Sequence, residues 1–204
     1  MYDTLATDAT IEKVKANLAE RNIEALIVET GAEALAKIKE LIPKGASINN
    51  GSSTTLNQIG WIDYLKENTH EWDNLHAAVV AEKDPVKQKE LRNKSLFADY
   101  YLGSVHALAE TGEMIIASAS GSQLPPIVFT SPNLIFVVST QKITPTYDEA
   151  LKRVEKHVVP LEDTRMKEAG MGGTVLAKIL TFEREPAFMG RKVRVILVKE
   201  KLGF

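Results

Sequence analysis

Residues 25–49 read ALIVETGAEALAKIKELIPKGASIN, and the hydrophobic period changes twice within them. Residues 25–28 form a short apolar run of strand type. Thr30 with Glu33 then has the spacing of a capping box, and Leu35, Ile38 and Ile42 follow at helical intervals. Pro43, Lys44 and Gly45 stop this helix, since proline has no N–H to donate and glycine accepts turn conformations. Residues 46–49 are short enough to be a second strand. Strand, helix, strand is the βαβ rhythm that sets two strands parallel.

Working outward, Ile11, Val14 and Leu18 give the preceding segment one apolar helical face that packs on the sheet. Beyond residue 49 comes Asn50-Gly51-Ser52-Ser53-Thr54-Thr55, small and polar throughout, and then Leu56, Ile59, Ile62 and Leu65 at helical spacing. Residues 77–81 (AAVVA) are read as the next strand. Asp84-Pro85 is an N-cap with proline at the first helical position, opening a heavily charged, solvent-exposed crossover helix. From residue 98 the strand candidates 100–102, 114–117 and 134–139 are separated by short loops, so the sheet becomes mixed. Thr146 with Glu149 caps another helix, and residues 175–183 and 193–198 are expected to close the fold as an antiparallel pair. The fold class that follows is α/β and Rossmann-like: a mixed, mainly parallel sheet with helices on both faces. No linker or repeat divides the chain, so residues 1–204 are expected to form a single domain.

The 204 residues carry 25 basic and 27 acidic side chains, a formal net charge of -2, with no global field for gripping nucleic acid. The basic residues Arg184, Arg191, Lys192, Arg194, Lys199 and Lys201 are expected on a solvated strand face. The longest apolar runs are five residues, against the ~18 of a membrane span. An acid near the start and no apolar stretch behind it give no secretory signal, so a cytoplasmic location is expected. With no cysteine, thiolate zinc sites, cysteine-ligated iron–sulfur clusters and a cysteine nucleophile are all excluded.

The loop from Asn50 to Thr55 is the leading site candidate. Backbone amides at a helix start, a permissive glycine and several hydroxyls suit a phosphate or carboxylate, although the P-loop lysine and second glycine are missing. A second small polar loop, Ser118-Ala119-Ser120-Gly121-Ser122, follows the 114–117 strand. In an open α/β sheet, loops at the carboxyl ends of strands converge on one crevice, which would let both loops face one ligand. Glu110-Thr111-Gly112 lies between two strand candidates, where a desolvated Glu110 carboxylate suits a base or nucleophile and a plain turn is the competing reading. The histidines have no metal-ligand spacing, and no metal site is expected.

Two segments, residues 45–60 (GASINNGSSTTLNQIG) and residues 109–118 (AETGEMIIAS) continuing to residues 143–151 (ITPTYDEAL), resemble the LUD family, the lactate utilization domain, and most of all its stand-alone LutC/YkgG-type members. The resemblance implies a fold similar to ribose-phosphate isomerases, glucosamine-phosphate deaminases and coenzyme A transferases, the NagB/RpiA/CoA transferase-like fold. It implies a role in oxidising L-lactate to pyruvate beside partner subunits that carry iron–sulfur clusters, this chain being a non-redox accessory subunit with no intrinsic cofactor. The family's glycine-serine-threonine loop maps onto Asn50, Gly51, Ser52, Ser53 and Thr54, and its A-E-T-G onto Ala109, Glu110, Thr111 and Gly112. Where many relatives carry tryptophan and a glycine doublet, this chain has Asn49 and Asn50 before a single Gly51. The expected ligand-binding set is Asn50 to Thr54, Thr111, Gly112, Ser118, Ser120 and Gly121, with Glu110 as the candidate catalytic group. The alternatives are an enzyme acting through Glu110 on a sugar phosphate or acyl thioester, and a module that senses a small anion.

Overall fold

A computed structural model describes residues 2–204. The chain opens with α1 (Asp8–Glu20), capped by the Thr7 side chain, which accepts from the Thr10 amide. It then runs through β1 (Glu24–Val28), α2 (Gly31–Leu41) and β2 (Ser47–Asn50). Thr30 caps α2 by accepting from the Glu33 amide, while the Glu33 carboxylate turns back to the Glu29 amide. This is the expected βαβ unit, its two strands lying in one parallel sheet. Next come the short helices α3 (Thr54–Gln58) and α4 (Trp61–Lys66), parted at Gly60, where φ is 80°.

β3 (Asp73–Asn74) is a two-residue edge strand, and α5 (Leu75–Ala81) and α6 (Pro85–Ser95) follow it. Residues 77–81 are therefore helix, correcting the strand reading. Asn74 caps the segment by accepting from the Ala77 amide, alanine favours helix, and only Val79 of this run is buried. A five-residue apolar run has no period to tell strand from helix.

The remaining strands are β4 (Tyr100–Gly103), β5 (Ala107–Ala109), β6 (Met114–Ser118), β7 (Asn133–Ser139) and β8 (Ile143–Thr144), with a π-helical turn at Pro126–Thr130 before β7. α7 (Tyr147–Arg153) continues through a second π-turn, Val154–Val158, into α8 (Val159–Glu168), and β9 (Lys178–Phe182) and β10 (Lys192–Val198) complete the chain.

Six strands form one parallel sheet in the order β1-β10-β7-β4-β2-β3, and β8-β5-β6-β9 form a second, mixed sheet. The expected closing pair does not form. β9 pairs antiparallel with β6, whereas β10 lies between β1 and β7 and is parallel to both. The reason is in β10 itself: Val193, Val195 and Leu197 are buried on one face and Ile196 and Val198 on the other, as a central parallel strand requires.

Strand alternation divides the core. On one face of the large sheet, Ile135, Val137, Ile196 and Val198 pack with Ala34, Ile38, Leu56 and Trp61 from α2, α3 and α4. On the other, Leu134, Phe136 and Val195 meet Ile11, Val14 and Leu18 of α1 together with Leu108, Met114 and Ile116 of the second sheet. Ala107, Ala109 and Ile115 carry the outer face of that second sheet onto Ala150 and Val154. Helices cover both faces of the main sheet, and the mixed pairing is confined to the smaller one.

The basic C-terminal stretch is not uniformly solvated. Arg191 is buried against Glu185 at 3.1 Å, and its guanidinium donates to the carbonyls of Pro126, Ile127, Val128 and Ser131. Three of these carbonyls belong to the π-turn and the fourth to the residue that follows it, so this arginine is a structural clamp.

Candidate functional site

Strands β2, β4, β6 and β7 end at one crevice of about 760 Å³. β2 delivers the loop from Asn50 to Thr55, β4 delivers Ser104 to His106, and β6 delivers Ser118, Ala119, Ser120, Ser122 and Gln123. β7 delivers Lys142 through a turn of 3-10 helix at Thr140–Lys142. Helices α5 and α6 add His76, Gln88 and Arg92 to the wall, and α8 adds Glu162 and Arg165. The two polar loops thus line the same space. Gly121 is not in the lining; its φ of 86° and the bond from its amide to Ser118 Oγ shape the turn.

Gly51 is set by close approach. A Cβ there would lie 2.5 Å from the Tyr101 hydroxyl, so only glycine lets β2 leave the sheet beside that ring. Ser53 caps α3, accepting from the Leu56 amide. Five residues of helix make a weak dipole, so the positive charge of the crevice has to come from side chains.

Lys142 supplies it. The residue is 4% exposed, and its Nζ donates to Thr55 Oγ1 at 2.9 Å, Ser104 Oγ at 3.1 Å and the Val105 carbonyl at 3.3 Å. Among the described residues no carboxylate pairs with it. Burial, and then the charge of Arg153, bring its amine down to about 7 from an ordinary 10.5. His106 accepts from the Ala117 amide through Nδ1, and burial followed by the Lys142 and Arg153 charges pushes its imidazole down to about 3. It is a neutral ring at physiological pH.

Glu162 and Arg165 neutralise each other through two bonds of 2.7 Å, whereas Arg92 makes no ion pair among the described residues. Asn50 Oδ1 and the Tyr101 hydroxyl are buried on this wall without hydrogen-bond partners. Burial also pushes the Tyr101 phenol up, so it stays a proton donor. Cations without carboxylates and polar atoms without partners are the chemistry that suits a small anion bearing further hydrogen-bonding groups.

The Glu110 turn lies elsewhere. Glu110 is paired with Lys13 of α1 at 2.8 Å, and its carbonyl accepts from Asn17 Nδ2 at 2.7 Å. Thr111 offers its carbonyl to Arg21, and a Cβ on Gly112 would lie 2.7 Å from Arg21 Nε. These three residues fasten α1 to the second sheet and do not line the crevice. Lys142, Tyr101, Arg92 and Arg165 are crevice groups that the sequence reading passed over. The signal for Lys142 was available: a polar Ser139-Thr140-Gln141-Lys142 follows the most apolar strand, where α/β folds place ligands.

The family model for the LUD domain matches residues 11–198. The chain belongs to the LUD domain family. The fold agrees: a DUF162 family protein from Deinococcus radiodurans superposes with a TM-score of 0.58 over 96% of this chain and 99% of that one, at 14% sequence identity. No curated protein matches this LUD-domain chain. The family is associated with lactate utilization. Among its described residues no helix is long and apolar enough to cross a membrane, and no three His, Asp or Glu side chains gather as a metal-binding group.

Proposed function

We propose that this LUD-domain chain is a LutC-type lactate utilization protein that holds a small carboxylate in the strand-end crevice and acts in the oxidation of L-lactate to pyruvate. The observation that carries the reading is Lys142, a buried amine on the wall of the crevice with three hydroxyl and carbonyl contacts and no carboxylate. A bound carboxylate would complete that charge and give the Tyr101 hydroxyl an acceptor. With no cysteine in the chain, iron–sulfur clusters of the pathway would reside on partner subunits, and this protein would be their non-redox, cytoplasmic companion.

Calorimetric titration with L-lactate and with pyruvate tests the site. Saturable binding by the native chain, lost in Lys142→Met, is the expected result. Absence of heat with either acid would remove the reading. The pathway role is tested by purification from lactate-grown cells, with co-elution of proteins showing iron–sulfur absorbance expected.

The volume favours a second reading. About 760 Å³ is the size of a pocket for a drug-sized ligand, roughly 300–1,000 Å³, and exceeds what a three-carbon acid fills. A sugar phosphate or acyl thioester would use the same amine and also reach Arg92. Tighter binding of such compounds than of lactate or pyruvate would decide for it.

A further inference from the structure

We propose that Lys142 is a nucleophilic amine that condenses with the ketone of a small 2-oxo acid in the crevice, forming a covalent imine. The inference deepens the small-carboxylate reading and rests on it.

Three features of the site carry it. Lys142 is one of the residues lining the crevice, so a ligand held there lies against its side chain. The groups touching Nζ are two hydroxyls and a carbonyl, with no carboxylate to hold it as ammonium. The charged neighbour is Arg153, itself buried and bonded through its guanidinium to the His106 carbonyl at 2.5 Å, and it opposes a second positive charge. A desolvated lysine beside another cation is the ordinary way in which proteins prepare an amine for carbonyl addition. With its amine at about 7, roughly half of Lys142 is neutral at pH 7, about a thousandfold more than an exposed lysine.

The chemistry balances within the site. The nitrogen lone pair forms a C–N bond to the carbonyl carbon as the C=O π pair moves to oxygen. One N–H proton passes to that oxygen, for which the hydroxyls of Thr55 and Ser104 are in contact with Nζ, giving a carbinolamine. Protonation of its hydroxyl by solvent and loss of water leave the protonated imine. One amine, one ketone and one proton give one iminium ion and one water, and nothing is oxidised or reduced. Asn50 Oδ1, buried in the same wall without a donor, is an acceptor available to the carbinolamine hydroxyl, and the Tyr101 hydroxyl is a donor available to the carboxylate.

The test is reductive trapping. The full chain is incubated with pyruvate and sodium cyanoborohydride at pH 7, then digested and mapped by mass. The expected result is one N-(1-carboxyethyl) group per chain on Lys142, exceeding label on any exposed lysine more than about tenfold. It should be absent from Lys142 positions in Lys142→Arg, with circular dichroism confirming the fold. The native map locates the adduct without any variant. Calorimetry on the same sample separates the two ideas: pyruvate binding without an adduct on Lys142 overturns the imine and leaves the carboxylate reading standing. No pyruvate binding and no adduct overturns both.

Discussion

Lys142 holds a proton less readily in the folded chain, at about 7, than at its ordinary 10.5. Between those values the unfolded chain binds more protons, so stability rises as pH climbs from 7 towards 10.5, and the whole penalty applies below 7. Its size is on the order of a few kcal/mol. His106 adds a second loss on acidification from 6.5 towards about 3, because only the unfolded imidazole readily takes the proton. Thermal midpoints measured from pH 5 to pH 9 should therefore rise throughout, and Lys142→Met should flatten the alkaline part and raise the midpoint at pH 7. Gly51 makes a different residue-scale prediction. Gly51→Ala forces its methyl onto the Tyr101 hydroxyl and should cost about 1–3 kcal/mol in denaturant unfolding, and Tyr101→Phe in the same chain should return most of that. Recovery is expected because the hydroxyl that is removed is both the clash and a buried group with no partner.

Among the elements, those announced by local chemistry were legible. Thr30, Asp84 and Thr146 each cap the helix they were expected to open, because a side-chain oxygen three residues ahead of an apolar period is a self-contained signal. The partners of β9 and β10 were not legible, since pairing is settled by which strand can be buried on both faces, and that depends on the rest of the sheet. Arg191 illustrates the same limit. In sequence it is one of six basic residues near the end; in the fold it joins the π-turn Pro126–Thr130 to Glu185 through five hydrogen bonds. Its loss would leave a buried carboxylate and the carbonyls of Ile127, Val128 and Ser131 without the arginine's donors, and would take one of two donors from Pro126. Arg191→Met should cost about 3–5 kcal/mol in denaturant unfolding, and Arg191→Lys should fail to restore it, because an ammonium lacks the planar fork that spans these acceptors.

At the scale of the molecule, the crevice is assembled from segments far apart in sequence: residues 50–55, 104–106 and 142 meet because the parallel strands β2, β4 and β7 end on one side of their sheet, and β6 of the second sheet brings residues 118–123 to the same place. The two polar loops were legible from composition, whereas Lys142 was marked only by its place after the apolar strand, because by composition a lysine is by default a solvated one. The same topology sends the turn at Glu110 to α1, where Lys13, Asn17 and Arg21 hold it. That separation can be measured. Pyruvate should slow amide exchange at residues 51–55 and 118–122 together and leave residues 110–112 unchanged, since the first two line the crevice and the third does not. Glu110→Gln breaks an ion pair whose lysine side chain is 59% exposed, so it should lower stability by less than about 1 kcal/mol and leave pyruvate affinity as it was. Lys142→Met should do the reverse, losing the ligand while the fold gains. Loss of binding in Glu110→Gln with binding intact in Lys142→Met would move the functional site from the strand ends to the α1 turn, and with it the whole account of what this fold positions.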